Sequence, residues 1–170
     1  MIATIQHLPR WARAFAAVIA VAGLGLAYWL VSPLFTNVSV NETLPVVTAG
    51  AATSSTNLTA LGAGAFYNVA HDGVAGKATL YRQVDGSFVL RLTDFRVLNG
   101  PDLYVYGSSI AKPGQGDVNT ENSVNLGKLK GNVGDQNYVI PAGTPLERLK
   151  SIVIWCKTFS VNFASASLEL

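Results

Sequence analysis

Charge is scarce in this chain. Twelve basic and ten acidic residues make up only 13% of 170, against 49% hydrophobic residues. A disordered tail needs the reverse balance, low hydrophobicity with high charge. No Lys/Arg stripe appears, which argues against nucleic acid as a partner. Lys112, Lys128 and Lys130 form at most a small positive patch, and a solvated strand face accounts for them equally simply. Histidine and cysteine are scarcer still: His7, His71 and Cys156. A single cysteine forbids an internal disulfide. With no C-x-x-C, H-x-x-x-H or C-x-x-C-H pattern, the usual ligand sets of zinc, iron–sulfur and c-type haem sites are missing. No G-x-S-x-G elbow and no Walker loop appears either, so no motif marks a hydrolase or nucleotide enzyme.

The hydrophobic surplus is local. From Ala14 to Val31 no residue is charged, and the uncharged run continues to Glu42. A helix over Ala14–Val31 reaches about 27 Å, close to the thickness of a bilayer core. Trp11 lies at one end, with Tyr28 and Trp29 near the other, as suits amphipathic rings at two membrane interfaces. Pro33 is expected to stop the helix. Arg10 and Arg13 precede the run and no lysine or arginine follows until Lys77. The positive-inside bias therefore makes 1–13 a cytoplasmic N-terminus, 14–35 a single-pass transmembrane signal anchor in the lipid bilayer, and the remainder periplasmic or extracellular. A cleaved signal peptide fits less well, because its apolar region is usually shorter and ends in an A-x-A-like site. Residues 36–60, rich in Ala, Ser, Thr and Gly towards their end, read as a flexible linker.

From Leu61 onward the periodicity is two. Ala78, Leu80 and Arg82 alternate with Lys77, Thr79 and Tyr81. Leu103 and Val105 alternate with Tyr104 and Tyr106, and Ile152, Ile154 and Cys156 alternate with Val153 and Trp155. Asp72-Gly73, Asp85-Gly86, Asn99-Gly100-Pro101, Pro113-Gly114, Gly131 to Asp135 and Ala142-Gly143 supply turn chemistry between the runs. The fold class expected for 61–170 is all-β: a compact antiparallel sandwich or barrel of about eight or nine strands, with one helical turn at Pro145 to Lys150.

The residues leave the role of Cys156 open. Parity with Ile152 and Ile154 suits a buried inert thiol. A disulfide to another chain, a metal ligand or a redox thiol are the alternatives. Lys157 would stabilise a thiolate if the sulfur reached the surface. His71 with Cys156 offers two ligands to copper or haem, too few to define a site. Trp155 and Cys156 must point to opposite faces of one strand, so only one of them can be core. Tyr104 and Tyr106, with Tyr81 or Trp155, form either an exposed aromatic binding patch or the filling of a second covered face.

The stretch from Gly62 to Leu168 resembles the DM13 domain. The resemblance rests on Gly64-Ala-Phe66 followed by His71, Gly76-Lys-Ala-Thr-Leu80, Leu90-Arg-Leu-Thr-Asp-Phe95 and Asn99-Gly-Pro-Asp-Leu-Tyr-Val105. It continues through Leu126-Gly-Lys-Leu-Lys-Gly131, Gly134-Asp-Gln-Asn-Tyr138, Ser151-Ile-Val-Ile-Trp-Cys156 and Phe159-Ser-Val-Asn-Phe163. Ser32-Pro-Leu-Phe35 and Leu44-Pro45 are similar to the anchor-proximal segment of bacterial members. What the resemblance implies is a β-domain for electron transfer, with Cys156 at the position of the family's proposed redox cysteine. In animal members the domain accompanies modules such as DOMON, so haem or copper would come with a redox partner protein. The other expectation is a non-catalytic cell-surface binding or scaffold domain in which Cys156 is structural.

Overall fold

The computed structural model describes residues 9–44, 58–121 and 123–170. The chain divides into two compact units, Met1–Thr36 and Asn37–Leu170. The first contains one helix, α1, Arg10–Phe35, of 26 residues. It runs through Pro33, which was expected to end it. Proline removes one hydrogen bond from a helix but holds a helical φ, and here the loss falls in the final turn. Trp11, Phe15, Val18, Val21, Leu24 and Tyr28 are all exposed on α1. Among the described residues no helix is long and apolar enough to cross a membrane. The uncharged run of the sequence includes Ala27 and Trp29 to Val31, whose side chains fall outside the described set. The structure thus gives the helix and not the span.

The second unit is all-β. Its strands are β1 Thr59–Asn68, β2 Ala75–Arg82, β3 Phe88–Arg96, β4 Leu103–Ser108, β5 Val124–Lys128, β6 Val133–Val139, β7 Ser151–Cys156 and β8 Val161–Ser167. They form one sheet in the order β5-β4-β7-β8-β1-β2-β3-β6, and every ladder is antiparallel. The ends of this order, β5 and β6, approach each other, so the sheet curls into a nearly closed barrel. A short 3-10 turn, Leu146–Arg148, is the helical turn expected near Pro145.

Alternation decides what lies inside. Ala78, Leu80, Leu90, Leu92, Phe95, Val105, Ile152 and Ile154 fill the interior with Ala164 and Ala166, and Phe66 meets Phe95 edge-on at 4.9 Å. Burying each large side chain stabilises by about 1.5–3 kcal/mol relative to exposure. The seam near β5 and β6 is tied by polar groups. Gln136, fully buried, donates to the Gly131 carbonyl at 2.7 Å and accepts from the Tyr138 hydroxyl at 2.8 Å. That hydroxyl accepts the Lys130 N–H at 3.1 Å. Burial pushes the Tyr138 phenol up to about 12.

Residues 37–44 are not free linker. They lie along the edge of β6 that β3 does not use. Val40 N–H donates to the Val133 carbonyl and Glu42 N–H to the Asp135 carbonyl, both at 2.9 Å, with a parallel bridge between Ser39 and Val133. Glu42 pairs with Lys130 at 2.7 Å and accepts the Asn137 N–H. Burial alone would raise its carboxyl, but the Lys130 and Asn137 hydrogen bonds and the Lys130 and Arg91 charges hold it below the ordinary value. Gly131 to Asp135, expected as a turn, lies half inside β6. Gly134 sits there at φ +100°, and a Cβ on it would meet the Val40 carbonyl oxygen at 2.1 Å. The remaining expected linker, 45–57, lies outside the described residues.

Candidate functional site

β7 positions the candidate residues by parity. Cys156, its last residue, faces the barrel interior and is 0% exposed, paired with Leu103 on β4 and Val161 on β8. Trp155 faces outward, yet it is only 9% exposed. Both side chains are therefore covered, by different things: Cys156 by the core, Trp155 by an outer cluster with Tyr106, Val153, Tyr104 and Val118.

The cover of the outer cluster is the β4–β5 loop. Tyr67 donates to the Pro113 carbonyl at 3.0 Å. Fully buried Asn162 donates to the Gly114 carbonyl at 3.2 Å and to Ser165 Oγ at 2.9 Å, and Gln115 pairs with the Asn162 backbone through both ends of its amide. Ser151 Oγ donates to the Ile110 carbonyl at 2.6 Å. Burial raises the Tyr67 phenol despite its hydrogen bonds to Ser165 and Ser167. The expected binding surface of Tyr104, Tyr106 and Trp155 is thus corrected. Tyr106 is buried, and the rings fill a covered second face rather than an open patch. Tyr81, partly exposed on β2, does not join that cluster.

Lys157, the first residue of the turn after β7, sets its ammonium 3.5 Å from the centre of the Tyr104 ring. His71 is exposed, and its ring packs edge-on against Phe163 at 5.0 Å. Phe163 belongs to the core that holds Cys156. Register puts the two candidates at one end of the barrel: Asn68 pairs with Ala164 and Ala164 with Ile154, so the chain leaving β1 towards His71 and the chain leaving β7 at Cys156 reach the same rim. The β3–β4 connection closes over it, where the Lys157 N–H donates to the Asp102 carbonyl at 3.0 Å and Asp102 pairs with Lys128 at 3.5 Å. The structure therefore brings His71 and Cys156 to one end of the barrel, the first exposed and the second buried.

Among the described residues no group of three or more His, Cys, Asp or Glu side chains is placed to hold a metal ion. A haem or copper centre on this chain would draw on His71, which is exposed, and Cys156, which is buried, with no third His, Cys, Asp or Glu grouped with them among the described residues.

The family model described as electron transfer DM13 matches residues 65–168. The chain belongs to the DM13 family. The match runs from the last residues of β1 through β8, so the DM13 domain coincides with nearly all of the barrel, with Cys156 and His71 both inside it. No curated protein and no solved structure matches the chain. The covered tryptophan face was legible as one of two alternatives. The polar set that fastens the loop over it, Asn162, Gln115 and Ser165, went unnoticed, because single amides and hydroxyls carry no spacing signature.

Proposed function

We propose that this chain is a membrane-anchored, extracytoplasmic electron-transfer module of the DM13 type. The family match across the barrel is the observation that carries the electron-transfer role. The anchor is supported by α1, 26 residues long, whose first turn carries Arg10 and Arg13 and whose sequence from Ala14 to Val31 is uncharged, with Val18, Val21 and Leu24 exposed. An uncharged helical run with basic residues at one end is the pattern of a span oriented by the positive-inside bias. Among the described residues no cluster of metal ligands is placed, and in this reading haem or copper comes with a redox partner protein. The part left to the chain is to present a stable barrel and one thiol.

Cys156 is the redox candidate of this reading, and its burial sets the terms. The sulfur is reached when the rim formed by the β3–β4 and β7–β8 connections opens, a local event costing less than global unfolding. A thiol reagent should therefore react with the native full chain in detergent, more slowly than with unfolded chain, at a rate that follows rim opening. Cys156→Ala should then abolish electron exchange with its partner. A thiol silent until the whole protein unfolds, in a chain whose Cys156→Ala variant works normally, would overturn the redox cysteine.

A second reading has its own observation. Cys156 is completely buried among aliphatic neighbours and Lys157 is turned away, which is how a small apolar core residue is held. In that case the barrel is a non-catalytic surface or scaffold domain, and Cys156→Ala costs only about 1 kcal/mol of stability.

A further inference from the structure

We propose that the barrel end holding Cys156 and His71 is the face turned to the lipid bilayer, with Phe159 and Leu98 entering the interface. The inference rests on the anchor reading and adds to it which end of the barrel meets lipid.

The observation that decides the end is where the chain enters the barrel unit. Asn37 Oδ1 accepts from Asn132 Nδ2 at 2.8 Å, and the Val38 N–H donates to Asn132 Oδ1 at 2.7 Å. Asn132 lies in the β5–β6 connection, at the same rim as Cys156. Phe35, the last residue of α1, is two residues before Asn37. Two extended residues reach about 7 Å, whereas a strand the length of β2 separates the two barrel ends by about 26 Å. A bilayer that holds α1 therefore lies within reach of this rim and far from the other one.

The rim carries side chains suited to that contact. Phe159 stands at the tip of the β7–β8 turn, 62% exposed, and Leu98 in the β3–β4 connection is 50% exposed. The two connections are joined by the hydrogen bond between Lys157 and Asp102. The turn is tight, with the Ser160 N–H directed back to the Lys157 carbonyl and Ser160 at φ +52°. Turn chemistry calls for Gly, Asn, Asp, Ser or Pro at such a tip, so the phenyl ring is not there to make the turn. The same turn carries Lys157, whose ammonium lies over the Tyr104 ring, an ammonium and an amphipathic ring of the kind that populates membrane interfaces. Exposure alone does not choose the face, since Val84 in the β2–β3 turn of the opposite rim is 60% exposed.

The test uses the full chain in phosphatidylcholine nanodiscs with an environment-sensitive fluorophore on Phe159→Cys, Leu98→Cys or Val84→Cys. The parent chain, carrying only buried Cys156, gives the labelling background. Blue-shifted emission at 159 and 98, quenched several-fold more by lipid-borne nitroxide than emission at 84, supports the proposal. Water-like emission at 159 and 98 from chain that stays in the discs and resists alkaline carbonate extraction from membranes overturns it while leaving the anchor intact. Chain that carbonate strips from membranes overturns the anchor reading and this proposal with it.

Discussion

Two irregular segments are laid on the same barrel by different chemistry. The β4–β5 loop covers the outer face of β7 and β8 mainly through neutral groups: Asn162, Ser165, Gln115, Tyr67 and the packing of Val118 on Trp155 and its neighbours, with Lys112 over the Tyr67 ring and Asp117 accepting the Gly114 N–H at its exposed margin. The segment 37–44 covers the β6 edge through backbone bonds and charge, with Glu42 held between Lys130 and Asn137. Neutral buried bonds are costly to break and, between amides and hydroxyls, insensitive to acid. Partly exposed ion pairs are weak and sensitive to it. The loop is accordingly built as a permanent lining, and the edge segment as a fastening that conditions can loosen.

The largest expected effect is on the loop. Asn162→Ala leaves the Gly114 carbonyl and Ser165 without their buried partner and should cost about 1–3 kcal/mol, seen in urea unfolding together with red-shifted Trp155 emission. Gly134→Ala attacks the edge segment instead. The new Cβ would collide with the Val40 carbonyl in a left-handed backbone, at a cost of about 1–3 kcal/mol. Fast exchange of the Val40 and Glu42 amides with unchanged Trp155 emission is the expected signature, and a shift in that emission would show the two covers to be coupled.

Acid should separate the covers further. The Glu42 carboxyl is lowered from 4.5 in the folded protein. Its contribution is therefore present above pH 4.5 and lost as pH falls through the lower folded value. Amide exchange at Val40 should rise in that window while the loop stays closed, and Glu42→Gln should flatten the dependence, costing about 0.5–1 kcal/mol at neutral pH. Alkali acts on the seam: with Tyr138 raised from 10 to about 12, its contribution is full below pH 10 and lost as pH rises towards 12. Tyr138→Phe should remove that alkaline loss, measured by thermal unfolding across the same range.

The difference between the two covers also marks what the sequence could show. Period-two alternation made the strands legible and tied Cys156 and Trp155 to opposite faces, because side-chain direction in a strand is fixed by the backbone. It did not show that both faces are covered, since the loop contributes one half-buried valine and a few amides. The segment 37–44 read as linker because its attachment is mainly backbone to backbone, and backbone bonds leave no residue pattern. Its only trace was the short alternation of Val38 and Val40 with Ser39 and Asn41. Gly134 read as a turn residue for the right conformational reason in the wrong element: its positive φ makes room for a passing chain. The edge-on contact of His71 with Phe163 was not legible either, because it joins a loop residue to a strand residue far away in sequence.

The parallel bridge at Ser39 has a consequence for solubility. An exposed strand edge is a template for other chains, and β6 is shielded by the chain's own preceding residues. A shortened chain beginning at Thr59 would keep every ladder of the barrel yet bare that edge, inviting self-association that the longer chain resists.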